Sequence, residues 1–200
     1  MKAAVCLMIG LLAGPDSALF QEAPSASSDA VKTVLKILNQ LREHLLDRGN
    51  VPDQQIKFEL PEAVVNEYLA YSLKVNPRPG VKRAQVRLLP ENEIRASLLL
   101  DMDAVRQWDP TAVPQELEST LAGLTRLEVK CRFQATGRQL TYRIQSARAR
   151  QRSIPVRVVD AIAQAIGGRQ PEKFDLTKPV PLPFGLRWIW TDGKVLGGST

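Results

Sequence analysis

Histidine is nearly absent from this chain of 200 residues. His44 stands alone, which excludes a multi-His metal site. Cysteine is as scarce, with only Cys6 and Cys131. No phosphate-cradling glycine loop is present, because Gly167-Gly168 reads as a helix stop and Gly197-Gly198 lies at the C-terminus. Nor is there an apolar run of the roughly 20 residues that a membrane-spanning helix needs. The longest, Ala3 to Ala13, is too short and follows a lysine.

That run, with Lys2 before it and Gly14-Pro15 after it, has the layout of a secretory signal peptide. Residues 1–23 are therefore expected to be removed, with small residues near Ala18 and around Ser25 and Ala26 as cleavage points. The alternative is an N-terminal helix that stays attached to the membrane. Residues 24–28 form a small polar linker, and residues 29–200 a single domain. Loss of the leader leaves Cys131 without a partner for an intramolecular disulfide, although an exported protein meets an oxidising compartment. It also removes one cation, Lys2, and two anions, Asp16 and Glu22, so the formal charge rises from +6 to +7. A basic protein outside the cytoplasm is drawn to anionic surfaces such as phospholipid headgroups or envelope polymers. Nucleic acid is not an expected partner there.

Periodicity supplies the elements. Val31, Val34, Leu35, Leu38, Leu41 and Leu45 recur at three and four residues, predicting a long amphipathic helix over Asp29–Arg48 with Ser28 as its cap. A short strand, Ile56–Leu60, precedes a helix opened by Pro61 and ended by Pro77. Val81–Leu89 and Ile94–Asp101 read as a hairpin, and one helical turn is expected around Glu116–Leu121. The stretch LEVKCRFQATGRQLTYRI, Leu127–Ile144, alternates apolar and polar residues and turns at Gly137, which predicts a longer hairpin. A third helix covers IPVRVVDAIAQAIGG, and the last hairpin turns on Asp192-Gly193. The expected fold is α+β: a long curved antiparallel sheet of about six strands, with a long N-terminal helix and two shorter helices packed on one face.

Candidates for catalysis are few. Asp101 and Asp103 are the best carboxylate pair, able to bind a divalent ion or share acid and base roles, but they read as a solvated strand end. Cys131, between Val129 and Phe133, reads as a small buried apolar residue. His44 reads as a solvated helix residue. The protein is not expected to be an enzyme, and no metal or cofactor is implied. Basic residues show more pattern: Lys130, Arg132, Arg143, Arg148, Arg150 and Arg152 are candidates for binding an anionic surface, or else form an ordinary charged face. Trp188 and Trp190 share a face of the last hairpin, as core or as membrane-interface rings.

The order of these segments, with LPEAVVNEYLAYSL, PGVKRAQVRLLPENEIRASLLLDMD, IPVRVVDAIAQAI and FDLTKPVPLPFGLRWIWTDGKV, resembles the bacterial LmeA-like phospholipid-binding proteins and, more loosely, the tubular lipid-binding superfamily. The resemblance covers about residues 56–196. It implies acyl chains held against a curved sheet under a long helix, with no catalytic residues, and a homodimer if a complete tube forms. The expected lipid-binding residues are Val86, Leu88, Leu98, Leu100, Leu127, Val129, Phe133, Leu140, Tyr142 and Ile144. The expected function is to bind or shuttle phospholipid or another acyl lipid in the periplasm or cell envelope. The alternative is a non-enzymatic envelope scaffold or assembly factor with a filled core and a basic partner-binding face.

Overall fold

The computed structural model describes residues 28–46, 55–170 and 179–200. The expected leader and linker, apart from Ser28, lie outside them, as do the last two residues of the helix expected to reach Arg48. Helix α1 is Asp29–Leu46 and buries Val31, Val34, Leu35, Leu38 and Leu41 as one stripe. Ser28 caps it as expected: its hydroxyl oxygen accepts the N–H of Val31 at 3.3 Å, and the hydroxyl donates to Glu67 at 2.7 Å.

Strand β1 (Lys57–Pro61) leads into helix α2 (Glu62–Val75), which starts directly after Pro61. The first hairpin is β2 (Val81–Leu89) and β3 (Glu93–Asp101), joined by a tight turn in which Glu91 and Asn92 both have positive φ. Helix α3 (Met102–Trp108) follows at once. A single 3-10 turn, Gln115–Leu117, stands close to the expected helical turn. The long hairpin is β4 (Leu124–Thr136) and β5 (Gln139–Ala149), with Gly137 and Arg138 at positive φ in its turn. Short strand β6 (Arg152–Ser153), helix α4 (Val156–Gly167), short strand β7 (Val180–Pro181) and a second 3-10 turn, Pro183–Gly185, lead to the final hairpin, β8 (Trp188–Thr191) and β9 (Val195–Ser199).

The fold is α+β with a six-stranded antiparallel sheet, ordered β2-β3-β4-β5-β6 with β7 also on β5. Its membership differs from the expected one. The first strand and the last hairpin form a separate three-stranded sheet, β1-β9-β8, in which Lys57 pairs with Ser199 and Pro61 with Val195. A pairing between strands so far apart in the sequence leaves no mark in local periodicity. Within β9, Gly197 and Gly198 are strand interior rather than a loose terminus. A side chain at Gly197 would strike the Trp190 ring, and one at Gly198 the Phe58 ring, so each glycine makes room for an aromatic ring against the strand.

Helix α2 closes the β2 edge. Asn66 acts as a surrogate strand residue, donating to the Val86 carbonyl at 2.8 Å and accepting the Val86 N–H at 2.7 Å, while Glu62 accepts the Leu88 N–H at 2.7 Å. An edge that would otherwise template pairing with another chain is thereby satisfied. One continuous core joins the inner faces of both sheets with the apolar sides of α1, α2 and α4.

Candidate lipid-binding cavity

Four residues of α1 at spacings of three and four, Val34, Ile37, Leu38 and Leu41, form one wall of a cavity. Phe58 and Leu60, alternate residues of β1, face them together with Ile189 of β8 and Leu196 of β9. Ile94 of β3 and Phe133 of β4 close it from the large sheet, and Leu182, Pro183, Phe184 and Leu186 from the connecting segment. Every side chain on the wall is apolar. The cavity volume is ≈ 50 Å³, where a single water needs roughly 10 to 15 Å³. It can take a few methylene-sized groups, but it offers nothing to hold a water by hydrogen bonds.

Phe184 belongs to this wall in a conformation that bulky residues avoid, with φ +53° and ψ 25°. Left-handed backbone at such a residue costs about 1 to 3 kcal/mol and persists only where the surroundings impose it. Gly185 beside it is also at positive φ, and the turn packs against α1.

Of the ten expected lipid-binding residues, Phe133 alone lines the cavity. Val86, Leu88, Leu98, Leu100, Leu127, Val129, Leu140, Tyr142 and Ile144 are all buried in the core away from that wall. Most of the inner sheet face is thus filled by the protein's own side chains. The cavity lies at one end, where the two sheets and α1 meet. The α1 stripe was visible in the sequence as a core-facing pattern. The contribution of β1 and of Leu182–Leu186 was not, since it depends on the pairing of β1 with β9.

The basic residues divide. Lys130 bonds Glu93 at 2.6 Å, and Arg132 reaches Glu91 at 2.7 Å and Glu93 at 2.8 Å. Hydrogen bonds from Lys130 first, then Gln145 and Arg132, hold the Glu93 carboxyl down at about 2. Arg150 donates to the carbonyls of Ser119 and Ala122 at 2.7 and 3.1 Å, and Arg152 lies 3.5 Å from the Thr120 hydroxyl, so both brace the segment before β4. Arg143 and Arg148 are exposed and form no ion pair among the described residues.

The aspartate pair is divided between two elements, Asp101 ending β3 as expected and Asp103 standing in the first turn of α3. Asp101 caps α3, accepting the Ala104 N–H at 3.2 Å, and lies 3.6 Å from the Lys82 ammonium. Asp103, in the first turn of α3, bonds Arg106 and accepts the Gly123 N–H at 3.1 Å; these contacts, Arg106 first, hold its carboxyl below the usual range. A helix begins where the sequence was read as a strand end because Asp101 serves both elements. Cys131 is 1% exposed, and burial followed by the Glu93 charge pushes its thiol up to about 12. His44 is half-buried in the last turn of α1. Trp190 covers Gly197, whereas Trp188 is 55% exposed.

No family model, curated protein or solved structure matches the chain. Among the described residues, no helix is long and apolar enough to cross a membrane.

Proposed function

We propose that the protein binds an acyl lipid, with the end of one hydrocarbon chain seated between α1 and the junction of the two sheets. The observation that carries this reading is the cavity itself, bounded by apolar side chains from α1, both sheets and the Leu182–Leu186 segment. Apolar pockets of this kind bind by burying hydrocarbon, roughly 0.8 kcal/mol for each methylene removed from water. At ≈ 50 Å³ the cavity accepts only a chain end unless α1 or the strained turn at Phe184 moves outward. The resemblance to LmeA-like proteins points to phospholipid as the ligand class, and the leader-like start to the periplasm or cell envelope as the place of action. No catalytic step is part of the proposal.

A second reading, a scaffold with a filled core and a basic partner-binding face, is favoured by a different observation: nine of the ten expected groove residues are core rather than wall. Titration with a fluorescent fatty-acid analogue separates the two. Saturable binding at one site per chain is expected of wild type. Val34→Phe, which projects a ring into the cavity, should abolish that binding while leaving the melting temperature unchanged or raised, as cavity filling does. Wild type without saturable binding would leave the scaffold reading.

A further inference from the structure

The six-stranded sheet has a second face, and nothing among the described residues covers it. Its polar residues line up across strands. Arg87, Arg95 and Lys130 stand directly opposite one another on β2, β3 and β4, and Arg83 and Arg126 flank Leu99 in a parallel row. Arg132 and Arg143 are opposed on β4 and β5. Like charges placed opposite on neighbouring strands destabilise a sheet, with strands only about 4.8 Å apart. The carboxylates that β2 to β5 turn to this face are Glu93, Glu128 and, at the end of β3, Asp101. Glu93 is consumed by Lys130 and Arg132, and Asp101 by Lys82 and the first turn of α3. Arg83, Arg87, Arg95, Arg126, Arg143 and Arg148 are exposed, and no ion pair engages them among the described residues.

We propose that this face is the docking surface for an anionic phospholipid membrane. For its partner class the proposal rests on the lipid-binding reading, but it uses different residues and a different face. The free arginines spread over four adjacent strands as a two-dimensional array, with alternate residues of a strand roughly 7 Å apart. A plane of headgroup phosphates matches such an array. A linear nucleic acid is instead held along a groove with aromatic rings for its bases, and β2 to β5 direct no aromatic side chain to this face. The array also moves the docking surface away from Arg150 and Arg152, whose guanidinium groups are occupied with Ser119, Thr120 and Ala122. Approach of phosphate relieves the repulsion between the opposed Arg87 and Arg95, which no carboxylate pairs, so the energy stored in the free face is released on docking.

The test is co-sedimentation of the purified protein with phosphatidylcholine vesicles, with and without phosphatidylserine, across a salt series. Binding is expected only with phosphatidylserine, weakening as salt shortens the screening length to about 8 Å at physiological strength. Replacing Arg87, Arg95 and Arg126 together by glutamine should lower the partition about a hundredfold, at roughly one Lys- or Arg-sized contribution each. The variant's melting temperature should be equal or higher, and its uptake of free fluorescent fatty acid unchanged. The matching triple variant at Arg148, Arg150 and Arg152 should lose less vesicle binding. Equal vesicle binding by wild type and the Arg87, Arg95, Arg126 variant would overturn the proposal. So would equal binding to vesicles without phosphatidylserine, or retention of a single-stranded oligonucleotide in place of vesicles. Vesicle binding by wild type with no uptake of fatty acid would sustain the surface and remove the cavity reading alone.

Discussion

Asn92 and Thr191 join the two sheets: the Asn92 side-chain oxygen accepts the Thr191 N–H at 3.0 Å, and the Asn92 N–H donates to the Thr191 carbonyl at 3.3 Å. The Asn92 carbonyl also accepts the Phe133 N–H at 2.9 Å. One turn residue therefore fixes β8 against the strand that carries Phe133, at the corner where the cavity lies. Asn tolerates the φ of 57° found here better than most residues do. Asn92→Ala should cost about 2 to 4 kcal/mol in denaturant unfolding, from the unsatisfied Thr191 N–H and left-handed backbone together. Asn92→Gly relieves the backbone part and should cost less. Equal losses in the two variants would show that the backbone conformation contributes nothing.

Wall and core residues should respond differently to truncation. Leu140, fully buried away from the cavity, should cost about 2 to 5 kcal/mol as Leu140→Ala, with acyl affinity of the folded fraction unchanged. Phe133→Ala should also destabilise, and in addition weaken fatty-acid binding, because its ring is on the wall. Unchanged affinity in folded Phe133→Ala would take this residue out of the site.

Acid should find Glu93. Its carboxyl is lowered from 4.5 to about 2 in the folded protein, so the folded state binds this proton less readily than the unfolded chain. The resulting stabilisation is complete above pH 4.5 and is lost as pH falls toward about 2. Glu93→Gln should be less stable at neutral pH, with the difference from wild type shrinking through that window. Denaturant unfolding at several pH values, followed by circular dichroism, measures it; a constant difference at every pH would contradict the assignment.

Cys131 should be inert to a soluble disulfide reagent in the native protein. Its thiol is buried and pushed up to about 12, leaving little thiolate at neutral pH. Reaction in the native state at the rate found in denaturant would place Cys131 at the surface.

The proposed export predicts a mature chain beginning between Leu19 and Ser27, recovered outside the cytoplasm. N-terminal sequencing checks it, and an intact Met1 in a cytoplasmic pool would count against it.

The strands that the sequence shows best are those whose alternation is local. The run from Leu127 to Ala135, for instance, appears within β4 with its apolar residues buried and its polar ones turned to the opposite face. The α1 stripe is equally legible, because its spacing is set by the helix alone. What could not be read is what depends on distant partners: β1 on β9, the ring of Trp190 over Gly197, and Asn92 bridging to Thr191. The cavity is of this second kind. Its wall takes residues from Val34 to Leu196, and the pairing of β1 with β9 is what brings the distant segments together. Helix α3 was missed for a local reason, since Asp101 ends a strand and caps a helix at the same position.

Native mass spectrometry of the purified protein tests the acyl-lipid reading most directly. Wild type should carry one lipid per chain, or take one up when phospholipid is added, and Val34→Phe should remain bare under the same conditions. A wild-type chain that stays lipid-free with phospholipid present, at the mass of the protein alone, would contradict it and make the cavity a packing defect of an ordinary core.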